Sequence, residues 1–475
     1  MRLGLIALVT TALAGAGDLA WGGMARPAFE ELLNARAALL VACGHADALA
    51  ELQYRAFCGG CSVDALLGAG PMRLLGPSVG AWKLVPLGLH GIASASLVVL
   101  AARSAGRRGG VAALLLLLGA PAAWRELVLT GWGNHAESAA FTFGAAVLLQ
   151  SVARRPWAGL VGGGIAGLGL WYAWISAHAL PALALGALIL GGRRALLAFG
   201  IGVPLGALPL VLFLVVRPAA LPETMDFWTG VAPAAPGEWL RWWSEPLLPG
   251  RSWPHGDGPL RWLGCGATVV LVLLAALGIA LAVVRRGRSV GLGAVLAGLG
   301  LLGLGAATFL RHDLWSDNAV AMGFDPFALR YRAPALPLLV LGAGLAAGRS
   351  RICAVLAALV IVFGIQQRIA GWIGGTGQEL GSPLDLVGLA FDPTVPEGEP
   401  PRRNPGRMGR SQDVASAQAF LAVHTDALPT CRAVHAGELG RRIGLRESGG
   451  PCVPGTVGGL DAEAIRTGFV QGCRK

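Results

Sequence analysis

The chain has 475 residues, of which 54% are hydrophobic and only 14% charged, against roughly 25% charged in soluble domains; its mean hydropathy is +0.61. That balance excludes an ordinary soluble domain and points to a membrane protein. The net charge of +11 would suggest a nucleic-acid partner in a soluble chain, but here the basic residues sit in short hinges between apolar segments, facing anionic headgroups, so no nucleic-acid partner is expected.

A hydrocarbon core of about 30 Å takes roughly 20 apolar residues per helix. On that measure, spans are predicted near 3–23, 80–101, 111–130, 138–153, 157–175, 178–192, 195–216, 262–284, 289–309, 333–348 and 352–373. The hinges at Arg103, Arg107 and Arg108, at Arg154 and Arg155, at Arg193 and Arg194, at Arg285, Arg286 and Arg288, and at Arg349 and Arg351 contain no Asp or Glu, while the carboxylates lie at the opposite ends. This asymmetry is the positive-inside pattern of a polytopic protein of the bacterial inner membrane. Eleven crossings put the N-terminus in the cytoplasm and the C-terminal tail in the periplasm. The apolar run 157–192 is read as two spans because Trp171, Tyr172, Trp174, His178 and Pro181 form an interfacial turn, and because only this break leaves every arginine hinge on one side. Arg2 and the apolar stretch after it resemble a signal peptide, but without a clean cleavage site the segment is read as an uncleaved first helix. The 72 glycines suit close helix packing, and lysine, used only at Lys83 and Lys475, fits a GC-rich bacterial genome.

Three outer regions are large enough to build a site: 24–79, 217–261 and 310–332. A soluble tail, 374–475, follows the spans of the domain 1–373. The first region holds an amphipathic stretch, PAFEELLNARAALLVACGHADALAELQYRAF, long enough for one or two surface helices. The second carries Trp228, Trp239, Trp242, Trp243 and Trp253, which serve as headgroup anchors or as stacking surfaces for substrate. Cys43, Cys58 and Cys61 in the first region and Cys431, Cys452 and Cys473 in the tail fit an oxidising compartment in which disulfides form. The CGGC run at Cys58 and Cys61 has no thioredoxin-like setting to make it a redox pair, and no zinc-ligand spacing is evident.

Four features carry a resemblance: an acidic first outer region, LLGPSVGAWKL entering the second span, LTGWGNHAESAAF between the third and fourth, and RYRAPALPLLV entering a late span. In this order, over roughly residues 1–370, they resemble the GT-C superfamily of integral-membrane glycosyltransferases, which includes protein mannosyltransferases and lipid A aminoarabinose transferases. Arg330, Tyr331, Arg332 and Pro334 are similar to the Arg-Tyr-x-x-Pro entry of these enzymes. The resemblance implies an all-α, polytopic helical bundle. It also implies transfer of a sugar from a polyprenyl-phosphate donor to a lipid, glycan or protein acceptor at the outer face, with inversion.

Such chemistry needs a carboxylate to take the acceptor proton, cations to hold the departing phosphate, and a groove for the isoprenoid. The resemblance implies a first-region base, matched in position by Asp47 with Glu51, whose four-residue spacing puts both on one helical face; the same pair would also suit a solvated helix face. Asp64 is the competing base, and Asp18 lies close to the first span. Arg330 and Arg332, with the Tyr331 hydroxyl between them, match phosphate oxygens unless they merely snorkel; Lys83 is a further phosphate candidate or a snorkelling cation. His135 and Glu137, near Arg125 and Glu126, could bind sugar or acceptor hydroxyls or a divalent metal, or could simply cap a turn. No cofactor is required otherwise. Arg311, His312, Asp313 and Asp317 offer further outer contacts. A non-catalytic envelope protein of the same build, and a lipid or sugar transporter or flippase, are the alternatives; the transporter reading expects an internal repeat and ionisable groups within helices.

Overall fold

The computed structural model describes residues 2–21, 29–45, 49, 59–133, 135–216, 233–244, 259–284, 288–310, 331 and 333–374. The described residues form helices and no extended strand. In chain order they are α1 (Arg2–Trp21), α2 (Phe29–Ala42), α3 (Gly59–Leu75), α4 (Val79–Leu118), α5 (Ala122–Val128), the 3-10 helix η1 (His135–Ser138), α6 (Ala139–Leu149), α7 (Trp157–Tyr172) and the 3-10 helix η2 (Trp174–Ala179). There follow α8 (Leu180–Gly206), α9 (Leu208–Val216), α10 (Pro236–Ser244), α11 (Pro259–Val284), α12 (Arg288–Leu310), α13 (Ala335–Arg349) and α14 (Arg351–Gly374). The chain divides into two compact units, the larger made of Met1–Arg26, Gln53–Val63 and Val85–Glu379, the smaller of Pro27–Leu52, Asp64–Leu84 and Leu380–Lys475.

Among the described residues, six helical stretches are long and apolar enough to cross a bilayer: Arg2–Trp21, Val79–Leu118, Trp174–Gly206, Gly266–Val284, Gly291–Leu310 and Arg351–Ala370. Two of them exceed a single crossing. At about 1.5 Å per residue, the 40 residues of α4 would extend about 60 Å, twice a hydrocarbon core. The helix is broken at Gly106, where φ is 79° and ψ 176°. A similar break divides α8 at Gly192, with φ 71° and ψ −164°. Both glycines occupy the left-handed half of φ, which a side chain disfavours; Gly106 lies inside a predicted arginine hinge and Gly192 directly precedes one. The predicted turn within 157–192 is also present: α7 ends at Tyr172, Ala173 is extended, and α8 restarts with Pro181 in its first turn, where its missing N–H leaves no bond unmade.

In the larger unit the described arginine hinges, and the residues flanking the hinge at 285–288, gather at one end. The Arg349 guanidinium donates to the Ser104 carbonyl at 3.1 Å, two residues before the Gly106 break. Arg103 donates to the Val147 carbonyl and to Gln150 at 3.3 and 3.2 Å, ahead of Arg154 and Arg155. Val152 lies against Gly191, and Gly159 against the Ala195 carbonyl, beside Arg193 and Arg194. Ala282 and Ala294, flanking the hinge at 285–288, pack with Leu345 and Ala105.

The bundle is held by small-residue contacts between backbones. A Cβ added at Gly167 would come within 1.9 Å of the Val203 carbonyl oxygen, joining α7 to α8, and one at Gly278 within 2.0 Å of the Gly342 oxygen, joining α11 to α13. Among apolar neighbours such closeness supplies the dispersion contacts that hold helices together where the hydrophobic effect is weak. α13 is buried from Ala335 to Ala347 and packs against α11, α12 and α14. A helix apolar on every side belongs in the middle of a bundle, and Ala333 and Pro334 lead directly into its N-terminal end.

Candidate functional site

The end of the larger unit opposite the arginine hinges carries a tight turn built from GWGNHAES. Glu137 Oε1 accepts the Trp132 backbone N–H at 2.9 Å, and the Ser138 hydroxyl donates to the His135 carbonyl at 2.5 Å. These bonds hold His135 at φ 60°, a left-handed conformation uncommon for a residue with a side chain and typical of places where surrounding structure over-determines the backbone. The turn is braced by the first residues of α3. A Cβ at Gly60 would fall 1.7 Å from the Gly133 carbonyl oxygen, and the Cys61 thiol donates to the Trp132 carbonyl at 3.8 Å.

Tyr331 reaches the same place from a stretch nearly 200 residues away. Its ring meets His135 edge-on with centroids 4.8 Å apart, while Trp132 stands edge-on to the other side of the imidazole at 6.1 Å. Trp174, from η2, lies 6.4 Å from Tyr331. Trp242 and Ala234 bury Tyr331 further, with Trp239, Trp243 and Phe309 packed around them. The tryptophans of α10 therefore point into the protein: Trp239 and Trp243 both donate to Thr308 Oγ1, at 3.2 and 3.1 Å, and that hydroxyl donates in turn to the Leu304 carbonyl. Trp124 of α5 donates to the Ala333 carbonyl at 3.2 Å, pinning the residue just after Arg332. Aromatic edges and faces of this kind each contribute about 0.5–1.5 kcal/mol beyond burial. Chemically, they offer flat apolar surfaces beside an imidazole and a carboxylate, a combination that suits the C–H faces and hydroxyls of a sugar.

A second cluster, also in the larger unit, is ionic. Asp18, near the end of α1, is fully buried. It accepts from Arg125, from Arg368 Nε at 3.2 Å and Nη2 at 2.7 Å, and from the Trp372 indole at 2.8 Å. Arg125 also donates to the Ala120 carbonyl and Arg368 to the Leu118 carbonyl. The His90 ring meets Trp124 edge-on at 5.2 Å. Trp124, next to Arg125 in the chain, ties this stretch to the backbone beside Arg332.

In the smaller unit Lys83 is not a free cation at a helix end. It is buried and ion-paired with Glu31, at 2.7 and 2.9 Å to the two carboxylate oxygens, and the Trp82 indole shares the first of these at 2.9 Å. A phosphate at Lys83 would have to compete with that carboxylate. Asp64, the second candidate base, is buried in α3. Asp47, Glu51, Arg330, Arg332, Arg311, His312, Asp313, Asp317, Trp228 and Trp253 lie outside the described residues, as does the tail beyond 374.

The structure thus brings together His135, Glu137 and Tyr331, three of the residues singled out from sequence. Arg125, grouped there with His135 and Glu126, takes Asp18 as its acid instead. Arg368, Trp372, Glu31, Trp124 and Thr308 were not anticipated. Arg368 carried a usable signal, being a lone cation within the apolar run IVFGIQQRIAGW. Cys43 is disulfide-bonded, whereas the buried Cys61 is in no disulfide, so the CGGC run is not closed on itself. Among the described residues no group of three His, Cys, Asp or Glu side chains could hold a metal ion.

Fold and sites together define an all-helical protein with the apolar helices of a multi-pass membrane protein. Set against family models, curated proteins and solved structures, the chain has no match.

Proposed function

We propose that this protein is a GT-C-like glycosyltransferase of the bacterial inner membrane, moving a sugar from a polyprenyl-phosphate donor to an acceptor at the outer face. The observation that carries the reading is the ring contact between His135 and Tyr331: two motifs that resembled the superfamily separately, GNHAE and RYRAP, meet at the end of the bundle away from the arginine hinges. Eleven crossings belong to the same proposal, supported by the Gly106 and Gly192 breaks, which turn two over-long helices into four legs. The gathering of the described arginine hinges at one end is what the positive-inside rule asks of the cytoplasmic side.

In the proposed reaction a first-region carboxylate, Asp47 or Asp64, takes the proton of the acceptor hydroxyl as its oxygen attacks the anomeric carbon from the face opposite the phosphate. The C–O bond to the phosphate breaks, the polyprenyl phosphate leaves against Arg330 and Arg332, and the configuration inverts. His135, Glu137 and Tyr331 hold the sugar. The test is transfer from synthetic polyprenyl-phosphate sugars by the full chain in nanodiscs. Tyr331→Phe and His135→Ala are expected to lower turnover by about 10- to 100-fold, in line with loss of one hydrogen bond to a charged group at about 1.5–3 kcal/mol. Intact transfer in both of these, or in both Asp47→Asn and Asp64→Asn, would overturn the assignment.

A lipid or sugar transporter is the second reading, favoured by the buried ionisable residues Asp18, Arg125 and Arg368 within apolar helices. Accumulation of the lipid-linked sugar or its headgroup across vesicles, without transfer, would support it.

A further inference from the structure

Two arginine pairs that are distant in sequence share one corner of the larger unit. Arg154 and Arg155 precede α7, and Arg193 and Arg194 follow the Gly192 break in α8. A Cβ added at Gly159 would come within 3.1 Å of the Ala195 carbonyl oxygen, and Val152, just ahead of the first pair, lies against Gly191, just ahead of the second. Arg194 is therefore one residue from the Gly159 contact and Arg155 four, about 6 Å of helix rise. All four arginines are exposed, and among the described residues none of them has a salt bridge. The sequence contains no Asp or Glu from 138 to 222, so the helices that carry these arginines supply no counter-charge.

Next to these charges the surface is apolar. Arg193, Leu197, Ile201 and Leu205 follow one another at four-residue spacing, one stripe along α8, and its three apolar members are 66%, 57% and 57% exposed. Across the seam, where a Cβ at Gly202 would meet the Leu160 carbonyl oxygen at 2.1 Å, α7 presents the exposed side chains of Leu160 and Val161. Trp157 opens α7 half-exposed, and the Arg155 guanidinium lies 6.0 Å from its ring centroid. An aromatic ring beside a cation is what a membrane helix carries where it meets headgroups. A soluble polyanion such as a nucleic acid would meet the arginines but leave the apolar stripes in water. An anionic lipid answers both.

We propose that this corner binds a dianionic lipid of the cardiolipin type, whose two phosphodiesters are joined through one glycerol. One phosphate lies against Arg154 and Arg155 and the other against Arg193 and Arg194, because guanidinium forks match phosphate oxygens. Acyl chains run along Leu160 of α7 and along Leu197 and Ile201 of α8. A single hinge would serve a monoanionic lipid. Two hinges locked together by backbone contact favour a ligand with two linked charges, since the second phosphate then binds at the raised effective concentration that the first one sets. Basic pockets between membrane helices are the general setting for such headgroups. The site lies at the opposite end of the unit from His135 and Tyr331 and does not depend on glycosyl transfer.

The experiment is native mass spectrometry of the full chain released from phosphatidylcholine nanodiscs that also carry cardiolipin and twice its amount of phosphatidylglycerol, so that the two anionic lipids contribute equal charge. One cardiolipin is expected to stay bound, preferred over phosphatidylglycerol by about tenfold or more. Arg154→Gln with Arg155→Gln, and Arg193→Gln with Arg194→Gln, are each expected to abolish that preference, since either leaves a place for one phosphate. Arg351→Gln, at the same end but on α14, is expected to leave it unchanged. Trp157→Ala keeps every charge and carries the test if the paired variants do not fold; freeing Arg155 from the ring is expected to lower the preference about two- to fivefold. Equal retention of the two anionic lipids, a preference unaltered by loss of either arginine pair or by Trp157→Ala, or an equal loss in Arg351→Gln would each overturn the proposal.

Discussion

Replacing Asp18 by Asn tests whether the buried ionic cluster holds the larger unit together. The side chain keeps its shape and one carbonyl oxygen, but the position that accepts from Arg368 Nη2 at 2.7 Å becomes a donor facing a donor, and two guanidinium groups lose the carboxylate they share. Removing one partner of a buried ion pair costs about 3–5 kcal/mol. The backbone carbonyls of Ala120 and Leu118, which stay on Arg125 and Arg368, reduce the loss, while stranding two cations rather than one raises it. A loss of about 4 kcal/mol is therefore expected, a large share of the roughly 5–15 kcal/mol that separates folded from unfolded domains. Unfolding by SDS in mixed micelles, followed by tryptophan fluorescence at fixed detergent composition, measures it. In the double variant Asp18→Asn with Arg368→Gln the two losses should fall short of their sum by about 1–3 kcal/mol, the range for groups in direct contact. A loss below about 1 kcal/mol for Asp18→Asn, or strict additivity in the double variant, would refute the reasoning.

The Glu31 and Lys83 pair behaves differently, because both partners can be removed together: Glu31→Gln is expected to cost about 3 kcal/mol, and Glu31→Leu combined with Lys83→Met to recover most of that; a double variant worse than either single one in the same unfolding assay would contradict it. At His135, whose φ is 60°, glycine should be more stable than alanine by about 1 kcal/mol, and equal midpoints for the two would count against the left-handed turn. Gly192→Val should destabilise by about 1–3 kcal/mol, whereas Gly200→Ala in the same helix, where an added Cβ meets nothing within 4 Å, should be neutral or stabilising by up to about 1 kcal/mol; the reverse order would place the break elsewhere. Maleimide mass tagging of denatured protein should modify Cys61 without reductant and Cys43 only after reduction, and tagging of Cys43 before reduction would exclude its disulfide.

Much of the helical layout was legible because it rests on composition and on local chemistry. Runs of Leu, Ala, Val and Gly between arginine hinges marked the apolar helices, and Trp174 and Pro181 marked a turn that the chain does make. Gly106 and Gly192 were harder to see as breaks, since glycine is frequent throughout the sequence; what distinguishes them is a positive φ, which only coordinates reveal. By sequence the tryptophans of region 217–261 read first as headgroup anchors and otherwise as surfaces for stacking substrate. Trp239, Trp242 and Trp243 turned inward because Thr308 and Tyr331 lie within their reach, and both come from other segments. Lys83 looked like a lone cation at a helix end because nothing near it in sequence is acidic. Glu31, fifty-two residues earlier, supplies its counter-charge.

By itself the sequence determined that the chain is helical and apolar enough for a membrane, and where its cationic hinges fall, because hydropathy and charge act over the length of one helix and need no partner. Which ionisable groups meet was decided by tertiary structure alone. Asp18, Arg125 and Arg368 are separated by more than a hundred residues each, and so are His135 and Tyr331; no local pattern encodes their contact. It follows from where small residues such as Gly167 and Gly278 let helices touch, and burial then forces each charge to find whichever partner the packing has brought within a few ångströms.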